Sequence, residues 1–208
     1  MKSEMVFNVS LQLIKKLRGD LGYTYLYDEA GKRIAAVVLK TNASIGYITY
    51  KYNASNKIIE EKNTSGQLIT YVYDTLISTV KTANFGKGSK LISTTIATFN
   101  KQNWCIEKKQ YIASGFSERL AEHNKYEYDG SGNCVEIFQE LSDAAFYNTS
   151  FKITKKYNFK GQWLEVERLN ENDQFVSKET ATYDEMGNMI SFSRLNKLGE
   201  VTELNTNV

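Results

Sequence analysis

The chain has 208 residues, a net charge of +2 and a pI of about 8.3, a balance with no field strong enough to mark nucleic acid as a partner. Its longest apolar run, Ile34 to Leu39, is far too short for a bilayer-spanning helix. Fourteen Tyr, ten Phe and no Pro describe a chain made for sheet, because aromatic and β-branched side chains suit a pleated surface and Pro removes ladder donors.

The N-terminus, Met1 to Asn8, lacks the uninterrupted apolar core of a secretory signal, which points to the cytoplasm; the alternative is an exported or cell-surface protein whose leader has been removed. Residues 1–22 read as a degenerate hairpin or cap. Val6 to Leu17 favours strand, although Leu11, Leu13, Ile14 and Leu17 also fit a short amphipathic helix.

From residue 23 to 208 one pattern recurs seven times: an aromatic residue followed directly by Asp or Asn, a left-handed residue three further on, and an aliphatic residue three beyond that. The copies begin at Tyr27, Tyr52, Tyr73, Phe99, Tyr128, Tyr157 and Tyr183. Such a period signals an array in which each unit buries its apolar face against its neighbours. In the copy Tyr128-Asp129-Gly130-Ser131-Gly132, Asp accepts hydrogen bonds from turn amides and Gly132 supplies positive φ without a Cβ clash. The left-handed position is Gly or Asn in every copy but the third, where Ile77 stands; that repeat must turn differently. The expected fold is all-β, a single domain over 1–208. It is an antiparallel meander of about 15 strands in hairpin repeats of about 26 residues, forming a strongly curved sheet or an open, barrel-like wrap.

Between the hairpins lie irregular return turns, the longest from Tyr111 to Asn124. Ser117 to His123 is predicted to hold a helical turn with Ser117 as N-cap, leaving His123 as an exposed loop residue. Glu60, Glu107, Glu136 and Glu165 share the position after the aliphatic residue. That register places them on an outer face beside lysines, alternating with the aliphatics, which are predicted buried. Cys105 and Cys134 occupy equivalent positions in successive repeats and read as small apolar residues rather than a disulfide.

No catalytic set emerges. One His and two separated Cys match no metal-ligand spacing, no nucleophile signature surrounds His123, and Asp129 to Asn133 is explained by the turn rather than by calcium. No cofactor, metal or catalytic residue is assigned, and the chain is expected not to be an enzyme.

The copies Tyr128 to Asn133 and Tyr183 to Asn188, each Tyr-Asp-x-x-Gly-Asn, resemble the YD repeats of Rhs-type and wall-associated bacterial proteins, and the resemblance runs from about Tyr23 to Leu204. In that family long arrays coil into a β shell around a toxin, and other repeats sit on cell surfaces or bind sugars. Seven repeats are too few for a closed shell, so the resemblance transfers the repeat architecture alone. It implies a short, non-catalytic scaffold whose irregular loop rim recognises a protein partner, such as a cognate toxin neutralised by an immunity protein. Loop aromatic and Arg side chains are the expected anchors: Phe85, Phe116, Arg119, Phe146 and Tyr147. The alternative is a carbohydrate-binding module in which Trp104 and Trp163 stack on sugar rings.

Overall fold

The structure is a computed structural model, and it describes residues 3–7, 13–18, 21–40, 43–115, 117–142 and 148–206. The chain divides into two compact units, one taking 1–74, 80–95 and 115–117, the other 75–79, 96–114 and 118–208. Among the described residues all regular structure is strand, apart from a 3₁₀ turn at Lys87–Ser89.

Nine strands precede residue 100: β1 (Ser3–Phe7), β2 (Leu13–Arg18), β3 (Leu21–Tyr27), β4 (Arg33–Lys40), β5 (Ala43–Tyr52), β6 (Ile58–Asn63), β7 (Leu68–Asp74), β8 (Thr79–Phe85) and β9 (Leu91–Phe99). Eight follow: β10 (Cys105–Ser114), β11 (Ser117–Tyr128), β12 (Cys134–Ser142), β13 (Asn148–Tyr157), β14 (Trp163–Asn170), β15 (Phe175–Tyr183), β16 (Met189–Leu195) and β17 (Val201–Thr206). In the first unit β1 to β7 pair antiparallel in chain order; in the second, β11 to β17 do the same. The all-β hairpin meander of about fifteen strands is therefore the fold, and the described residues form seventeen. The repeats supply β3 to β16, the N-terminal hairpin adds β1 and β2, and β17 completes the last return.

The turns follow the sequence closely. In the turn at Asp129 the Oδ1 atom accepts from the amides of Ser131 and Asn133 at 2.9 Å, while Gly132 takes φ 86°. Asn158 and Asn100 make the same pair of bonds in their turns. The third repeat departs as Ile77 foretold: the positive φ falls on Ser78. The same five-residue geometry recurs in return turns expected to be irregular. Asn63, Asn170 and Asn196 each accept from the amide four residues on, with Gly66, Asp173 and Gly199 at positive φ.

The hairpins at Tyr27, Tyr52, Tyr128, Tyr157 and Tyr183 each close through a bulge just after the turn, and the bulge reverses one expectation. Tyr27 pairs with Arg33 and Leu26 with Ala35, leaving Ile34 extra; Ile190 is likewise extra between Met189 and Ser191. A bulge sets two residues against one and breaks the alternation of faces. The aliphatic column predicted to be buried is instead exposed at Ile34 (44%), Ile106, Leu164 and Ile190 (41%) and only half-buried at Ile59, Val80 and Val135.

Past the bulge the pairings separate two faces. In the first unit one face carries Tyr25, Tyr50 and the buried Ala36 and the other Thr24, Thr49 and Glu60; in the second unit one carries Tyr126, Tyr157 and the buried Ile153 and Ala181 and the other Thr154, Thr180, Glu136 and Glu165. These are called the tyrosine face and the threonine face below. Among the described residues no large side chain is fully buried, so the hydrogen-bonded ladder and contacts between repeats bear much of the stability.

The repeat aromatic supplies one such contact. Tyr52 donates its hydroxyl hydrogen to the Arg33 carbonyl at 2.6 Å, Tyr73 to Ile58 at 2.8 Å, Tyr128 to Cys105 at 2.7 Å and Tyr157 to Cys134 at 2.9 Å. Each acceptor is the first residue of the strand leaving the previous repeat's turn. Tyr in this motif thus staples one repeat to the one before it, at about 0.5–1.5 kcal/mol per bond.

Candidate functional site

The first unit contains a half-open cavity of about 350 Å³. Its apolar wall comes from Ile48, Leu68, Ile69, Phe85 and Ile92. Its polar groups are Glu61, Asn63, Gln67, Asn84 and Ser93. The sheet explains the mixture. Ile48 pairs with Asn63 and Tyr50 with Glu61 across β5 and β6, so residues of the tyrosine face bring a carboxylate and an amide in among the aliphatics.

Most polar atoms here already have partners. The Asn63 Oδ1 atom accepts from the Gln67 amide at 2.9 Å, and its Nδ2 donates to Gln67 Oε1 at 2.7 Å. Asn84 Nδ2 donates to Ser93 Oγ at 3.1 Å. Glu61 differs: Tyr71 donates to its Oε1 at 2.8 Å, and among the described residues no cation pairs with it. Burial, then the hydrogen bond to Glu61, pushes the Tyr71 phenol well above its ordinary value, so the proton stays on Tyr71 and Glu61 is left as a pure acceptor.

Phe85 is the one predicted anchor that the structure places in a cavity wall. Arg119 is half-buried and its guanidinium donates to the Ser142 carbonyl at 2.9 Å, clipping the start of β11 to the end of β12. Phe116, Phe146 and Tyr147 lie outside the described residues. Trp104 packs on the Tyr128 ring at 5.2 Å between centroids, with its edge against Gly132, and Trp163 meets Phe192 edge-on at 6.3 Å.

The segment expected to hold a helical turn is extended instead. β10 and β11 meet near Gly115, which takes φ 62°. A lone helical turn satisfies few of its own backbone groups, whereas a strand hands them to its neighbours, as pairing with β12 does from Glu122 onward. That correction moves His123 off a loop and into a strand, with its side chain only 12% exposed. Its Nε2 lies 2.8 Å from Glu107 and its Nδ1 2.8 Å from Glu140. Lys109 hydrogen bonds Glu107 at 3.0 Å and, ahead of His123, holds the Glu107 carboxyl below its ordinary value. With both ring nitrogens engaged, His123 is a cross-strand tie.

Among the described residues no cluster of His, Cys, Asp and Glu is placed to hold a metal ion, both cysteines are free thiols, and no helix is long and apolar enough to cross a membrane. No signal in the sequence points to the cavity, because its residues come from β5 to β9 and the turn at Asn63 with no fixed spacing.

No family model and no curated protein matches the chain. Among solved structures it is similar to the TcdB2-TccC3-Cdc42 crystal structure at 10% identity and a TM-score of 0.46, covering 98% of this chain and 13% of that one. It is also similar to a porin-like protein from Bacteroides uniformis at 12% identity and a TM-score of 0.48, covering 98% and 92% of the two chains. A second porin-like protein, from Bacteroides vulgatus, follows at 9% identity and a TM-score of 0.36, with 98% and 92% covered.

Proposed function

We propose that the chain is a non-catalytic binding scaffold that recognises a protein partner. The observation carrying this reading is the half-open cavity walled by Phe85, since a concave, mostly apolar pocket with a few fixed polar groups is the usual receptacle for an anchor side chain. Apolar side chains at turn tips support it: Leu76 is 95% exposed, Phe159 94% and Met186 89%. The resemblance to Rhs-type repeats makes a cognate toxin the partner we favour, with the chain acting as an immunity protein in the cytoplasm. Both tryptophans are engaged with rings of their own chain, which favours the protein partner over sugar stacking.

The test is affinity capture of the tagged protein from its source lysate, with Phe85→Ala in parallel and its fold checked by circular dichroism. A stoichiometric protein retained by the wild type and lost by Phe85→Ala is expected. Recovery of no stoichiometric protein, or of one indifferent to Phe85, overturns the reading.

A further inference from the structure

The Phe85 cavity is chemically lopsided. One side is aliphatic and aromatic; the other ends in a carboxylate with no protein cation beside it. Two cations close to it in the sheet are committed elsewhere. Arg33 lies over the rings of Tyr50 at 4.4 Å and Tyr25 at 5.3 Å. Lys51 reaches the neighbouring Glu60 at 2.8 Å, and the pairing of Lys51 with Glu60 sets that contact on the opposite face from Glu61. The hydrogen bond from Tyr71 occupies Oε1 of Glu61, and no described residue donates to Oε2. A carboxylate accepts about four hydrogen bonds, so Glu61 faces the cavity with most of its capacity unused.

We infer that this cavity takes a hydrogen-bond-donating organic cation on an apolar stem, an alkylammonium or alkylguanidinium group. Resting on the scaffold reading above, it is the seat for a Lys or Arg side chain presented by the protein partner. The stem lies along Ile48, Ile69 and Phe85, as long cationic side chains cover apolar surface with their methylenes, and the head reaches Glu61. An anion would meet the Glu61 charge. A purely aliphatic ligand would strip water from Glu61 without replacing it, at the cost of burying an unpaired charge. The cation alone satisfies both sides, and charge-assisted hydrogen bonds are the stronger kind.

n-Butylammonium chloride is the probe, with n-butanol as its neutral counterpart, and binding is followed by amide NMR shifts of wild type and Glu61→Gln. Glutamine keeps the acceptor that Tyr71 needs, so the variant is expected to fold unchanged. Butylammonium is expected to bind with a Kd on the order of millimolar, shifting resonances around Ile48, Ile69 and Phe85. Glu61→Gln is expected to weaken it about tenfold or more, and butanol to bind about tenfold more weakly than the cation. Equal binding of butanol and butylammonium, or no effect of Glu61→Gln, overturns the inference. The capture experiment, repeated with Glu61→Gln, separates the two readings. A protein captured undiminished by Glu61→Gln leaves the scaffold standing and removes the cationic anchor. Glu61-dependent butylammonium binding with no protein captured removes the scaffold and assigns the pocket to a free alkylamine.

Discussion

On the threonine face of the first unit, Leu26 pairs with Ala35 and Val37 with Tyr47, and Val72 stands exposed beyond them; an ion pair joins Lys51 to Glu60 on this face. The same face of the second unit is ionic. Glu136 holds Lys152 at 2.9 Å, Glu165 holds both Lys156 and Lys178, and His123 lies between Glu107 and Glu140. The turns differ too. In the second unit the last residue of each uniform turn leans on the left-handed glycine of the next: Trp104 on Gly132, Asn133 on Gly161, Gln162 on Gly187. The second unit is thus fastened by ion pairs across its strands, while the first has rim contacts of its own, Lys32 over the Tyr52 ring and Lys57 over the Tyr73 ring, beside an apolar surface and a cavity. The comparison teaches that one repeat pattern, on one kind of hydrogen-bonded ladder, carries an ionic threonine face in one unit and a largely apolar one, beside a cavity, in the other.

The sharpest way to break this contrast is through the glycines. Gly132 takes φ 86°, and a Cβ there would lie 3.0 Å from the Trp104 ring; Gly88 in the first unit takes φ 74° with nothing within 4 Å. Gly88→Ala therefore carries backbone strain alone, about 1 kcal/mol, whereas Gly132→Ala adds displacement of the indole and should cost about 2–3 kcal/mol. Hydrogen exchange reads each unit separately. Equal losses at the two positions would show that turn-to-turn contact adds nothing to the second unit.

The tyrosine staples are shared, and so sharpen the contrast by remaining constant. Tyr73→Phe in the first unit and Tyr157→Phe in the second each delete one hydroxyl bonded to a neighbouring repeat. Each should destabilise its own unit by about 0.5–1.5 kcal/mol, measured from protected amides in the same exchange experiment. A loss confined to one unit would mean the repeats are joined differently on the tyrosine face as well.

These features were unequally legible. The corner Asp and Asn residues and the left-handed Gly and Asn residues announced themselves because turn geometry is local and permits few residue types. The return turns hid the same chemistry in Asn63-Thr64-Ser65-Gly66-Gln67 and Asn196-Lys197-Leu198-Gly199-Glu200, a signal that was available but lacked the preceding aromatic. The exposed aliphatic column was not legible: alternation assumes a regular ladder, and the bulge at Ile34 depends on which residue Tyr27 pairs with. The role of Tyr rather than Phe was hidden for a similar reason, since its acceptor lies in the previous repeat. The Phe85 cavity needed five strands in register before Glu61 and Ile92 met, and the Ser117 helix failed because pairing along β12 outweighed a local cap.

Acid offers the gentlest probe of the contrast. Glu107, Glu122, Glu165, Asp129 and Asp184, all in the second unit, are held below their ordinary values. The leading causes are hydrogen bonds from Lys109, Asn124, Lys178, Asn133 and Asn188 respectively. A carboxyl lowered on folding contributes stability that is complete above its unfolded value, near 4.5 for Glu107, and is lost as pH falls through the folded value. Acid should therefore loosen the second unit progressively below about pH 4.5. Both tryptophans belong to that unit, so their fluorescence reports on it alone while far-UV circular dichroism reports on the whole chain. Tryptophan fluorescence is expected to change at higher pH than the dichroism. Glu107→Gln should cost about 0.2–1 kcal/mol at neutral pH in low salt and flatten the acid transition, because the variant has one less carboxylate to lose. A fluorescence change that tracks the dichroism throughout, with Glu107→Gln unaltered, would mean the ionic threonine face decorates the second unit without fastening it.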